Sequence, residues 1–165
     1  MFRYEVRNVV VNVKRILDNL GDFTVINAEG HVLGRLSSII AKRLLNGEKI
    51  VVVNAEKAVV TGERSMIFQR YKDKLDRGSK EKGPYYPRHP ERIFKRTVRG
   101  MIPWKSKRGR EAYRNLKVFV GVPEEINKEF EVVENALLEK VSKTEKYVTV
   151  GEISKFLGYN FEVET

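Results

Sequence analysis

The sequence predicts an α/β protein: a three-layer α/β/α fold with a short, mainly parallel sheet, long basic loops and a C-terminal helical appendage. Three observations carry that expectation. Ile50-Val51-Val52-Val53 is β-branched throughout, the pattern of a strand covered on both faces and hence of a parallel sheet. Leu33, Leu36, Ile40 and Leu44 fall on one helical stripe, with Arg35, Lys42 and Arg43 away from it. Strand-like and helix-like segments then alternate along the chain, which suits helices covering a mainly parallel sheet.

Each element follows from local signals. Residues 1–22 hold a short valine-rich piece and then Lys14 to Gly21, either a strand and a helical turn or a loosely held arm. Phe23 to Ala28 is a short buried strand. The helix from Leu33 ends at Asn46-Gly47, as a C-terminal glycine should end it. Asn54-Ala55 repeats the Asn27-Ala28 ending of the first strand, a weak echo that suggests two equivalent strand ends. Ala58 to Gly62 is a third short strand and turn, and Ser65 caps a helix through about Leu75, with Ile67, Tyr71 and Leu75 at spacing four. Asp76 to His89 is an extended basic loop, and Pro90 is a good first helical residue. From Glu91 to Met101, Ile93, Thr97 and Met101 share one face; Arg92, Arg96 and Arg99 share another. Pro103 stops that helix, a basic loop follows Trp104, and Lys117 to Gly121 is a last short strand. Beyond it, Thr149-Val150-Gly151-Glu152 matches a capping box before Ile153, Phe156 and Leu157.

This divides the chain into an N-terminal extension (1–22), an α/β core (23–121) that holds the block 70–117, and an acidic, mostly helical appendage (122–165). A length of 165 residues suits one ordinary domain with an appendage, and 33% charged residues is above the usual share. No cysteine occurs, which excludes disulfides, thiolate zinc sites and cysteine nucleophiles and fits a reducing cytoplasm. No stretch reaches the roughly 20 apolar residues of a membrane span. The opening residues do not read as a signal peptide, because Val9-Val10-Val11 is broken at once by Asn12 and Lys14.

Charge is segregated. Residues 70–117 carry 17 Lys+Arg against 5 Asp+Glu, a local +12 in a chain whose whole sum is +10. The tail from 122 to 165 carries 5 Lys and 10 Glu, and is expected to stay away from phosphate. Tyr71, Tyr85, Tyr86, Phe94, Trp104 and Tyr113 are threaded through the basic block, together with Gly83-Pro84, Pro87, Pro90, Pro103 and Gly109. Positive charge interleaved with rings and fixed turns suits a dense polyanion with stackable faces, RNA before any metabolite. A solvated basic surface is the plainer alternative, but such surfaces usually mix both signs.

The candidate RNA-binding residues lie mainly in this block. Lys82, Tyr85, Tyr86, Arg88 and His89 occupy the extended loop, with Tyr85-Tyr86 stiffened between Pro84 and Pro87. Arg92, Arg96 and Arg99 form the outer helical face; Lys105, Lys107, Arg108, Arg110 and Arg114 follow Trp104. Arg35, Lys57 and Arg64 are candidates from the amino-terminal half. Trp104 itself either stacks on a base or pins the basic loop to the core, and the second is favoured because tryptophan is mostly buried.

An α/β layout invites a nucleotide-dependent enzyme on a Rossmann-like sheet, so the phosphate motifs matter. Gly30-His31-Val32-Leu33-Gly34 opens a helix after a strand, but it is not Gly-x-Gly-x-x-Gly, and no Gly-x-x-x-x-Gly-Lys-Ser/Thr occurs. His31 and His89 are the only histidines, with no i, i+4 pair for a metal and no serine or aspartate at triad spacing. His31 is expected to be a hydrogen-bonded structural histidine. No catalytic residue, cofactor or metal is expected.

Several segments, taken together and in order, resemble a known family. They are Ile26-Asn27-Ala28-Glu29-Gly30-His31-Val32-Leu33-Gly34-Arg35-Leu36, Val53-Asn54-Ala55-Glu56-Lys57-Ala58 with Thr61-Gly62, and Gly83-Pro84-Tyr85-Tyr86-Pro87. Arg96 to Lys105, Gly109-Arg110 and Leu116 to Gly121 continue the match, and Lys146 to Ser154 resembles the archaeal C-terminal extension. The family is the universal large-ribosomal-subunit protein number thirteen, in its archaeal and eukaryotic form. Residues 1–22 depart from the pattern. The resemblance implies an α/β/α fold, no catalysis, and a structural role in the large ribosomal subunit, binding ribosomal RNA during assembly. The implied partners are large-subunit ribosomal RNA and neighbouring large-subunit proteins, in cytoplasmic ribosomes, with neither membrane nor small-molecule substrate. A regulatory binder of messenger RNA would share every one of these sequence features.

Overall fold

The computed structural model describes residues 4–6, 9–11, 13–79, 81–141 and 145–160. Expectations for the rest of the N-terminal extension, for Lys80 in the basic block, and for 142–144 and 161–165 lie outside the described residues.

The first two strands, β1 (Tyr4–Val6) and β2 (Val9–Val11), form an antiparallel pair of their own. The centre is a four-stranded, all-parallel sheet. Its strands are β3 (Thr24–Asn27), β4 (Ile50–Val53), β6 (Leu116–Val118) and β7 (Phe130–Glu131), in spatial order β6-β4-β3-β7. All four side chains of β4 are buried, as its unbroken β-branched run predicts. The pleat sends them to opposite faces. Ile26, Ile50, Val52, Leu116 and Val118 enter the larger core; Val25, Val51 and Val53 enter a second one.

The larger core is covered by α2 (Leu33–Leu45), α4 (Pro90–Met101) and α5 (Lys107–Arg114). The stripe Leu33, Leu36, Ile40 and Leu44 is buried as expected, and α2 packs against α4. The smaller core is covered by α1 (Val13–Leu20) through Val13, Leu17 and Leu20, joined by Phe119 and Ile126. Each of these buried side chains is worth about 1.5–3 kcal/mol. The third layer of the sandwich therefore comes from the segment whose order was open at the sequence level.

The echo of Asn27-Ala28 in Asn54-Ala55 has a structural counterpart. Asn27 pairs with Val53 in register, and the next residue, Asn54, donates from Nδ2 to Asn27 Oδ1 at 3.0 Å. Asn54 takes a left-handed backbone conformation (φ 54°), which asparagine tolerates better than most residues. The two strand ends are tied to each other.

Four expectations are corrected. The third strand, β5 (Val59–Thr61), is not in the parallel sheet: it pairs antiparallel with β8 (Tyr147–Thr149) from the tail. The last core strand runs from Leu116 to Val118 and not from Lys117 to Gly121, although Phe119 N still donates to Val52 O at 2.8 Å. The basic stretch after Trp104 is a helix, α5, capped by Ser106 Oγ accepting from Gly109 N at 3.0 Å. Met101 does not face inward: at the end of α4 it is 43% exposed, and Phe94 and Val98 complete the buried face with Ile93.

The tail is built into the same core. After β7 come a short 3-10 turn (Glu134–Ala136), α6 (Leu138–Val141), β8 and α7 (Val150–Phe156). Val148, Val150, Ile153 and Leu157 belong to the larger core. The capping box is present: Thr149 Oγ accepts from Glu152 N, and Glu152 Oε2 accepts from Thr149 N.

Candidate nucleic-acid interface

Two neighbouring clusters emerge from the basic block. The first lies between α4 and α5. Gly109 makes it possible: a Cβ there would run into the Pro103 carbonyl oxygen, so only glycine lets α5 approach the chain leaving α4. That close approach seats Trp104 edge-to-face on Tyr113, with ring centroids 5.0 Å apart. The Arg99 guanidinium lies over Trp104 at 4.2 Å and Lys95 Nζ over Tyr113 at 5.1 Å, typical cation–π distances. Trp104 thus acts as the pin favoured at the sequence level, with partial exposure.

The two helices and the turn between them that carry this aromatic pair also carry the exposed cations. Arg92, Arg96, Lys105, Lys107, Arg110 and Arg114 all reach solvent, and Arg99 is half-buried. Two carboxylates in the cluster form long ion pairs: Glu91 lies 3.9 Å from Arg92, and Glu111 lies 3.9 Å from Lys107. Lys95 reports the crowding. Its pKa is lowered first by burial and then by Lys117 and Arg92, while Glu91 acts in the opposite sense. A buried ammonium among like charges gains from an added anion.

The second cluster is the loop between α3 (Arg64–Asp76) and α4. Ser79 and Gly83 exchange backbone hydrogen bonds at 3.2 and 3.0 Å, and Lys82 N donates to Ser79 Oγ. Tyr85 projects with 72% of its surface exposed. Its neighbour Tyr86 turns inward and meets Tyr71 edge-on at 6.0 Å, with Lys74 Nζ over both rings. Burial pushes the Tyr86 phenol well above its ordinary pKa. Lys82 and Arg88 reach solvent, and the His89 ring lies 3.8 Å from that of Tyr159.

Three of the remaining candidates have intramolecular work. Arg108 is exposed but donates to Leu45 O at 2.9 Å, serving a carbonyl at the end of α2. Lys57 pairs with Glu29 at 3.3 Å, and Arg64 with Glu152 at 2.9 Å. Arg35 is exposed on α2, apart from both clusters in sequence. Sequence reasoning missed Lys95 and Lys117, although Arg92-Lys95-Arg96-Arg99 already repeats at helical spacing.

The start of α2 is where a phosphate loop would stand. His31 is 1% exposed; its Nδ1 lies 2.9 Å from Glu29 O and its Nε2 accepts from Val133 N at 3.1 Å. This pattern puts the ring proton on Nδ1 and makes His31 a bridge between the first βα turn and the tail. The turn before α2 is tied to the tail as well, with Val32 N donating to Ala136 O at 2.8 Å and Leu138 N to Gly30 O at 2.9 Å. Among the described residues no group of three or more His, Asp or Glu could hold a metal ion, and no helix is long and apolar enough to cross a membrane.

Comparison with known proteins gives a consistent result. The sequence profile described as Ribosomal protein L13 matches residues 22–125. A protein of Archaeoglobus fulgidus named "Large ribosomal subunit protein uL13" is 72% identical over 153 residues, covering 92% of this chain and 98% of that protein. Proteins of the same name from Methanopyrus kandleri and Methanococcoides burtonii are 50% and 49% identical, each over 84% of this chain and over 88% and 99% of their own lengths.

Proposed function

The chain belongs to the ribosomal protein L13 family, and from that premise we propose that it is a structural constituent of the large ribosomal subunit that binds ribosomal RNA and supports subunit assembly. The family is one of ribosomal structural proteins, and the chain is not an enzyme. It works in ribosomes, in the cytoplasm, with neighbouring large-subunit proteins beside it.

The observation that carries the RNA reading is the crowded cationic shelf around Trp104 and Tyr113. Its exposed arginines and lysines outnumber the carboxylates near them, and Lys95 is held at a depressed pKa among like charges. Phosphates from converging RNA strands neutralise such a surface and release counterions. Arg92, Arg96, Arg110 and Arg114 grip phosphate with their planar forks, and Lys105 and Lys107 meet it as point charges. The exposed ring of Tyr85, beside Lys82 and Arg88, offers a base a stacking face. In this division residues 23–121 hold the RNA, and the acidic tail stays off the phosphates.

The test is binding of the full chain to large-subunit ribosomal RNA fragments across a salt series. Six to ten phosphate contacts give a slope of log affinity against log salt of roughly −4 to −9. Affinity that hardly changes with salt overturns the reading. Retention on large subunits through a moderate salt wash is the matching cellular observation.

A further inference from the structure

We propose that the acidic tail, although off the RNA, sets the shape of the end of the loop that meets it: α7 and the turn after it are the wall on which Arg88 and His89 are held, with Ser154 and Tyr159 as positioning residues. The inference rests on the RNA-binding reading above and adds residues that no basic motif would suggest.

The loop runs from the end of α3 to the start of α4, and α7 meets α3 in its first half and the chain at the loop's α4 end. On the α3 side, Phe156 stacks on Phe68 with centroids 4.5 Å apart and planes 9° from parallel. Arg64 lies over the same Phe68 ring at 5.0 Å and reaches Glu152 at 2.9 Å. On the α4 side, Ser154 is fully buried and its Oγ donates to Arg88 O. The Tyr159 ring meets the His89 ring at 3.8 Å, and the position a Cβ of Gly158 would take is 3.8 Å from Arg88 Nη1. The backbone carbonyl of Arg88 and the ring of its neighbour are therefore both engaged by residues 154–159, and the Arg88 guanidinium passes close to Gly158.

The physics is preorganisation. A long loop with a charged tip loses conformational freedom when RNA fixes it. A loop already held at its α4 end loses less, and the difference appears as affinity without any new contact. Ser154 Oγ is well suited to holding it, because it satisfies the carbonyl just before the helix start, where the chain direction of Pro87-Arg88-His89 is decided. An acidic segment can in this way raise affinity for a polyanion.

The experiment uses the full chain with Ser154→Ala, Tyr159→Ala and Arg88→Ala, singly and with Ser154→Ala combined with Arg88→Ala. Binding to a large-subunit ribosomal RNA fragment is measured across salt, and hydroxyl-radical protection of the RNA is mapped. Ser154→Ala and Tyr159→Ala are expected to weaken binding about five- to tenfold, with the salt slope within about one of the parent's. Protection at the loop's nucleotides should fade while protection at those facing α4 and α5 persists. In the Arg88→Ala background the Ser154→Ala effect should largely vanish, because the two act through one element. Equal affinity and protection in both positioning variants overturns the inference, as does full additivity with Arg88→Ala. If Ser154→Ala does not fold, Tyr159→Ala, at the less buried end, decides by the same readouts. Parent protein that fails to bind RNA in a salt-dependent manner instead overturns the RNA reading itself, a separate outcome.

Discussion

Replacing Arg92 and Arg96 together by alanine separates RNA affinity from folding. The two lie one helical turn apart on α4, opposite Ile93, Phe94 and Val98. The Arg92 side chain is 61% exposed with the Glu91 carboxylate 3.9 Å away, and Arg96 is exposed. A surface pair of that length contributes little to stability. The double substitution should therefore cost no more than about 0.5 kcal/mol, or a shift of about 1–2 °C in Tm for a domain of this size. The effect on binding is far larger. Each phosphate contact contributes a slope of about −0.9, so losing two makes the salt slope shallower by about 1.8 and lowers affinity about thirtyfold at physiological salt. Filter binding across a salt series, beside thermal melts followed by circular dichroism, reads both quantities. Unchanged slope and affinity with a Tm lowered by several degrees would refute the argument, since the arginines would then be serving the fold and not the ligand.

Three further outcomes follow from single residues. Lys95 has a pKa below the ordinary lysine value in the free protein, through burial and then Lys117, and bound phosphate raises it. Affinity is therefore full where Lys95 is protonated in both states and falls as alkaline pH passes through its free-state pKa; Lys95→Arg should flatten that limb relative to the parent in pH-titrated binding. His31→Ala leaves the buried Val133 N–H without its acceptor and opens a cavity, at a cost of about 2–4 kcal/mol in urea unfolding; any ATP turnover lost with folding intact would contradict the structural role of His31. Gly109→Ala drives a Cβ against the Pro103 carbonyl and should cost about 1–3 kcal/mol, followed by fluorescence of Trp104, the single tryptophan.

The central βαβ unit was legible because its residues carry unambiguous periodicities: the unbroken run of β4 and the leucine and isoleucine stripe of α2. The same clarity was missing where elements are short. β7 has two residues and β8 three, and a strand of that length has no detectable alternation; its existence depends on the partner waiting for it. α1 offers only Val13, Leu17 and Leu20 as a face, too brief to distinguish from a turn. α5 was hidden because Gly109 within it weakens a helix signal, and the close contact with Pro103 that calls for this glycine is tertiary. Met101 was misassigned because the stripe through Ile93 and Thr97 continues geometrically past the point where the core ends. For the interface, sequence identified the block but not each residue's engagements. That Arg108 serves α2, that Arg64 and Lys57 already hold carboxylates, and that Tyr85 and Tyr86 point opposite ways are all tertiary facts.

The strand order β6-β4-β3-β7 has a consequence for the timing of folding. β3 is made early, yet its outer edge is completed by Phe130–Glu131, and β5 waits for Tyr147–Thr149. These pairings join segments far apart in the chain, so loop-closure entropy must be overcome before they give any return. A growing chain can assemble β3, α2 and β4 early, but both the sheet edge and the antiparallel ribbon remain open until the tail has been made. The nascent molecule is thus asymmetric in time as well as in charge: its cationic middle emerges long before the acidic residues that complete the core, and the finished shape arrives only with the last helix.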